Sequence, residues 1–74
     1  MEDYKFGEPI KFDAVYELNS TKGTYTREYC TKPMNGSFNS EVKLHMDGAD
    51  ITVGAINFGG QEIYVPLDAI SRRP

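Results

Sequence analysis

An alternation of aromatic and cationic residues in the middle of the chain has the clearest capacity for chemistry. Tyr25, Arg27 and Tyr29 occur at every second position of the segment TYTREYCT, with Lys22 before them and Lys32 after them. On a β-strand, residues with this spacing point to one face. Aromatic rings beside cations bind single-stranded nucleic acid, and tyrosine and arginine are also enriched in protein-binding hot spots. Three interpretations stay open: a protein contact, an oligonucleotide contact, or tyrosines that pack in the core.

A second set of residues, His45, Asp50 and Thr52, would support catalysis only in a pocket that holds a nucleophile or a water molecule. We expect these side chains to lie on a flat, exposed strand face, so we predict no enzymatic activity. His45 is the only histidine and Cys30 the only cysteine. A zinc site needs three or four ligands, so we expect no metal and no cofactor, and we expect Cys30 to pack as a small hydrophobic residue.

The bulk composition limits the size and the partners of the protein. Its 74 residues form one domain, residues 1–74, and its net charge is −3. An acidic chain is poorly suited to coating duplex nucleic acid, which requires a basic face. A single core of this size supplies only about 3–5 kcal/mol of net stability. The chain has no disulfide framework, so we expect an efficient β core, a partner subunit, or both.

The same features favour a cytoplasmic location. A single cysteine is typical of a reducing compartment, and the acidic N-terminus has no apolar run of signal-peptide length. No segment approaches the roughly 20 apolar residues of a membrane-spanning helix. We therefore expect no contact with a membrane.

The elements that must position these residues are predicted by alternation and turn chemistry, most clearly in residues 41–55, EVKLHMDGADITVGA. Two alternating runs flank Asp47-Gly48, a dipeptide typical of two-residue hairpin turns. Turn and pattern favour one register, in which one face of the hairpin is buried. The predicted pairs are Met46–Ala49, Leu44–Ile51 and Val42–Val53 on the buried face, with His45–Asp50 and Lys43–Thr52 on the other.

Residues 10–18 alternate strictly and predict a half-buried strand, with Ile10, Phe12, Ala14, Tyr16 and Leu18 facing inwards. A loop at residues 19–23 leads to a second strand at residues 24–31. With Leu18 opposite Gly23, Tyr16 meets Tyr25 and Phe12 meets Tyr29. Residues 32–40 are polar and contain Pro33. We expect either a wide loop or a tight turn there, which returns Phe38 to the core.

Gly59-Gly60 separates the fourth strand from a fifth, QEIYVPL. A three-residue loop, residues 59–61, keeps one core face continuous by setting Val53 opposite Leu67 and Ala55 opposite Val65. Ile63 should then be buried as well. A short helical turn follows, in which Asp68 is a candidate cap. The ending GGQEIYVPLDAI is similar to the last strand and helical turn of small SH3-like barrels, a resemblance that implies only a fold.

We therefore predict an all-β domain of five strands, or six if residues 4–6 form one. Its order is an antiparallel meander that closes as an SH3-like small barrel or an open roll, with a short C-terminal helical turn. The predicted core comprises Phe12, Tyr16, Val42, Leu44, Ile51, Val53, Val65 and Leu67.

The function that we expect is non-catalytic binding of another protein, as an interaction module, an inhibitor or an accessory subunit. Small acidic proteins of this kind are common among phage and mobile-element products. The alternative is a small β barrel that binds single-stranded oligonucleotides. The binding residues in either case are Lys22, Tyr25, Arg27, Tyr29 and Lys32. The partner is another protein or a second copy in a homodimer, with nucleic acid less favoured.

Overall fold

The computed structural model describes residues 4–46 and 48–72 of the chain. The elements run in the order β1 (Pro9–Asn19), β2 (Thr24–Met46), β3 (Ala49–Phe58), β4 (Gln61–Pro66), a 3-10 turn (Leu67–Ala69) and β5 (Ile70–Arg72). All five strands belong to one antiparallel sheet. The all-β prediction is confirmed. No helix in the described part of the chain is long and apolar enough to cross a membrane.

The sheet curls into a small open roll. The hairpins β1–β2, β2–β3 and β3–β4 form the predicted meander, and β5 returns to pair with β1. Strand β1 also meets β4, through the single pair Tyr16–Tyr64. Residues 4–6 do not form a sixth strand, because a tight turn begins there: Glu8 N–H donates to the Lys5 carbonyl at 3.0 Å.

The predicted β2–β3 register is confirmed, including the pairs Leu44–Ile51 and His45–Asp50. Asp47 lies outside the described residues, and Gly48 has a φ of 78°, as the second position of a type I′ turn requires. Leu44 is buried as expected, but Ile51 is 39% exposed. Near the turn, the inner face is therefore covered on the β2 side, where Leu44 and Met46 are buried, and exposed on the β3 side.

The β1–β2 register differs from the prediction by two residues. Asn19 closes a four-residue loop: its backbone carbonyl accepts from Gly23 N–H at 2.7 Å, and its side chain accepts from two loop amides at 3.1 and 3.2 Å. Because asparagine stabilises loop amides in this way, the strands pair from Asn19 outward. Leu18, expected inside, is 57% exposed. The observed pairs are Leu18–Tyr25, Tyr16–Arg27 and Ala14–Tyr29.

The prediction of a loop or turn at residues 32–40 is wrong, because β2 runs through this segment as one 23-residue strand. Its first half pairs with β1 and its last half with β3, and Ser37 pairs with both. An irregularity absorbs Pro33: only Asp13 separates Phe12 from Ala14 in β1, whereas residues 30–33 lie between their partners in β2. Phe38 is buried, as expected.

The three-residue loop predicted between β3 and β4 is also wrong. Gly59 and Gly60 form a two-residue loop with φ values of 60° and 85°, and Ile56 pairs with Ile63. Two successive glycines in the left-handed conformation suit a type I′ turn. The prediction failed because it assumed one buried face, whereas residues 53–56 of β3 are all buried. Val65 is fully buried, opposite Gly54 rather than Ala55.

Two apolar clusters lie on the two faces of β3. One contains Ile10, Phe12, Phe38, Ile56, Val65 and Ile70. The other contains Leu44, Met46 and Val53, with Tyr16, Tyr25, Val42 and Tyr64 packed against it. Of the predicted core, Tyr16, Val42 and Leu67 are half-buried rather than buried. The second cluster supports the strands that carry the aromatic and cationic residues.

Candidate functional site

The predicted binding residues lie in the β1–β2 hairpin, in its loop and in residues 24–32 of β2. Tyr25, Arg27 and Tyr29, called the stripe below, pair directly with Leu18, Tyr16 and Ala14. Residues that pair directly across an antiparallel ladder share a face, so the stripe lies on the inner face of the sheet. Burial along this face differs between the two strands: Ala14 is buried opposite the exposed Tyr29, and Leu18 is exposed opposite the half-buried Tyr25.

Exposure differs among the three residues of the stripe. Tyr25 is half-buried, the side chain of Arg27 retains 34% of its accessible surface, and Tyr29 is 73% exposed. The predicted flanking cations, Lys22 in the β1–β2 loop and Lys32 in the irregular part of β2, are both exposed. The stripe therefore combines one anchored tyrosine with an arginine and a tyrosine that are open to a partner.

Arg27 is the most highly organised residue of the site. Its guanidinium carbon lies 5.8 Å from the ring centroid of Tyr16, and its Nη2 donates to Asp68 Oδ1 at 3.1 Å. Hydrogen bonding with Tyr16, then with Tyr29, and the Asp68 charge together raise the pKa of Arg27 above its ordinary value. The guanidinium is thus a permanent charge in a fixed orientation.

Asp68 has a different role from the one predicted. It is not a helix cap, because Pro66 holds the N-cap position of the 3-10 turn and no side chain makes a capping hydrogen bond there. Its carboxylate instead binds Arg27, 41 residues away in the sequence. A surface ion pair of this kind contributes little stability, but it offsets the charge of Arg27 and lowers the positive potential of the stripe.

Tyr25 connects the stripe to the second apolar cluster. Its ring meets that of Tyr64 edge-on, with centroids 6.2 Å apart and planes inclined at 80°. Both rings pack against the cluster of Leu44, Met46 and Val53. This T-shaped geometry is a favourable one for aromatic pairs. Tyr25 therefore has a structural role in addition to any contact with a partner.

The His45–Asp50 pair forms as predicted, with 3.1 Å between His45 Nδ1 and Asp50 Oδ1. Both side chains are exposed, retaining 73% and 65% of their accessible surface. Thr52 lies one pair further along the strand, opposite Lys43. Within residues 4–46 and 48–72, no group of three histidine, cysteine or acidic residues is arranged to hold a metal ion.

An apolar groove of about 310 Å³ adjoins the site through Tyr16, and no local residue pattern predicted it. Cys30 lines it and packs against the first cluster, as expected of a small hydrophobic residue. Desolvation raises the pKa of the Cys30 thiol, and the nearby Asp13 charge raises it further. A thiol held in its protonated form is a weak nucleophile. The other lining residues are Phe12, Val15, Tyr16, Glu17, Met34, Phe58, Gln61 and Ile63.

Sequence reasoning found the stripe but missed the residues that hold it. Tyr16 was expected opposite Tyr25, and the shift of register brings it to Arg27 instead. Tyr64 and Asp68 come from distant segments, and no local pattern links either of them to the stripe. No family model, curated protein or solved structure matches this chain. Its function is therefore inferred from its own residues.

Proposed function

We propose that the chain is a non-catalytic protein-binding module whose contact surface is the stripe. The observation that supports this most directly is the fixed position of Arg27, between Tyr16 and Asp68 and beside the exposed Tyr29. An arginine that is already oriented loses less side-chain entropy when a partner binds. Tyrosine and arginine in this arrangement are the residue types that dominate binding energy at protein interfaces.

Leu18 extends the contact surface with an apolar side chain. It pairs with Tyr25, shares its face and is 57% exposed. Exposed apolar residues beside tyrosine and arginine make a mixed surface, in which an apolar centre has a polar surround. Such a surface suits an interaction module, an inhibitor or an accessory subunit, the three forms of the proposal.

Charge favours a protein partner over an oligonucleotide. Nucleic-acid affinity requires several cations that neutralise phosphates, whereas the Asp68 carboxylate already offsets Arg27. The net charge of the whole chain is −3. Lys22 and Lys32 remain as exposed cations, so single-stranded oligonucleotide binding is the alternative that the experiment must separate.

A capture experiment with and without nuclease separates the two functions. The immobilised chain is incubated with lysate, and bound material is identified by mass spectrometry. One protein retained equally after nuclease treatment is the result that we expect. Loss of all bound material on nuclease treatment would support the oligonucleotide alternative. Capture of nothing under either condition would count against both.

A further inference from the structure

The first residues of β2, 24–29, have an uncovered edge. Residues 24–29 pair with β1 along one edge, and within the described part of the chain no strand pairs with the other. The backbone N–H and C=O groups of an uncovered edge are a template for a further strand. The segment TYTREYCT is rich in β-branched and aromatic residues, contains no proline, and has only Arg27 and Glu28 as charged residues, so its composition favours such pairing.

The other uncovered edges are less suitable. Residues 40–46 pair with β3 on one side only, but Glu41, Lys43 and His45 place charged or titratable side chains along their exposed face. Charged side chains are a common protection of sheet edges. Strand β5 has three residues, too few for a stable ladder. The edge of residues 24–29 is the longest that has little protection.

We propose that a second copy of the chain adds its own residues 24–31 antiparallel to this edge and forms a two-fold dimer. This inference goes beyond the proposed function, because the dimer uses the backbone edge of the hairpin and leaves the stripe itself open. Residues 24–31 carry one positive charge, Arg27, and one negative charge, Glu28. Two copies of this segment therefore meet without net repulsion, although the whole chain carries −3.

Symmetry joins the two stripes whichever residue lies on the axis. A two-fold axis perpendicular to the sheet pairs residues of the same parity, so the inner faces of both copies stay on one side. With the axis at Arg27, Tyr25 of each copy lies opposite Tyr29 of the other, but the two Arg27 residues face each other, a like-charge pair that disfavours this register. With the axis at Thr26, Tyr25 lies opposite Arg27. In either register the dimer presents one continuous face that contains both stripes.

Sedimentation of the purified chain over a range of concentrations tests the proposal. We expect a monomer–dimer equilibrium at tens of micromolar. Thr26→Pro and Arg27→Pro are tested together, because the N–H groups of adjacent strand residues point to opposite edges. One of these variants removes only an outward donor, and it should stay folded by circular dichroism while its dimerisation weakens at least about tenfold.

Amide hydrogen exchange gives a second measurement, which remains informative if both proline variants unfold. In the dimer, alternate amides within residues 24–31 should gain protection as concentration rises, while those of residues 40–46 stay unchanged. A monomer mass at every concentration, or protection at residues 40–46 instead, would overturn the strand pairing. Either result leaves capture of a different protein intact, whereas loss of capture alone would overturn the proposed function without changing the sedimentation result.

Discussion

Arg27 lies over the ring of Tyr16, with 5.8 Å between the guanidinium carbon and the ring centroid, because β2 pairs with β1 in the register that sets these two residues opposite each other. The register in turn depends on Asn19, whose carbonyl closes the β1–β2 loop through Gly23 N–H. A local loop interaction therefore determines which side chain organises the cation of the stripe.

Removal of this cation should affect stability only slightly. Its contacts are a cation–π pair and a surface ion pair, each worth up to about 1 kcal/mol at exposed sites. We expect Arg27→Ala to lower the free energy of unfolding by no more than about 2 kcal/mol, the sum of the two contacts. Urea denaturation measures this. A loss several times larger would mean that the guanidinium has a structural role in the core.

The two tyrosines of the stripe should behave differently. Tyr25→Ala removes the edge-on contact with Tyr64 and part of the second cluster, so it should cost about 1–3 kcal/mol. Tyr29→Ala changes a residue that is 73% exposed and should stay within about 0.5 kcal/mol of the wild type. Thermal or urea unfolding of both variants checks the difference. Equal losses would contradict the observed burial.

The parts of the fold that sequence predicted correctly are those where two local signals agree. In β2–β3, the Asp47-Gly48 dipeptide and the inward side chains Leu44 and Val53 favour the same register, and that register is observed. In β3–β4 the turn residues left the loop length open. Glycine suits both a two-residue turn and a three-residue loop with a bulge, so the assumption of one buried face decided for three, and that assumption fails where β3 is covered on both sides.

The site was predictable to the extent that it is local. The spacing of Tyr25, Arg27 and Tyr29 predicts a shared face, and this follows from the strand alone. Tyr64 and Asp68 reach the stripe only because β4 and the 3-10 turn fold back across the roll. Those contacts depend on the curvature of the sheet and on the β2 irregularity, which local residue patterns do not specify.

A close approach at Gly36 provides a test of the packing. A Cβ built there would lie 2.8 Å from Ile56 Cγ2 and 3.0 Å from the Asn57 carbonyl oxygen. The Asn57 carbonyl belongs to the backbone and cannot easily move away from the added methyl group. Gly36→Ala should therefore cost about 1–3 kcal/mol through overpacking. Gly54→Ala is the comparison, since its closest neighbour is the flexible end of Ile70 at 2.7 Å. We expect a smaller loss there; the reverse order would contradict this packing.

Acid should weaken the N-terminal turn. The pKa of Glu8 is lowered by a hydrogen bond from the Lys5 backbone N–H, and also by Arg72. The native state therefore binds this proton more weakly than the unfolded chain. The stabilising effect of the Glu8 carboxylate is present above the ordinary glutamate pKa of about 4.3 and is lost as pH falls through the lowered native pKa. Glu8→Gln should reduce this acid dependence in urea unfolding at pH 7 and pH 3; an unchanged dependence would contradict the assignment.

The central claim is that the stripe is a protein-binding surface, and a comparison of two variants tests it most directly. Arg27→Ala combined with Tyr29→Ala removes its two exposed members, and Phe6→Ala is the matched control, since Phe6 is an exposed aromatic residue outside the stripe. Both proteins should keep the circular dichroism spectrum of the wild type. Affinity for the protein captured in the presence of nuclease is then measured by calorimetry. We predict that the double variant loses at least about tenfold in affinity, as hot-spot residues do, while Phe6→Ala binds like the wild type. Unchanged binding by the double variant would contradict the claim.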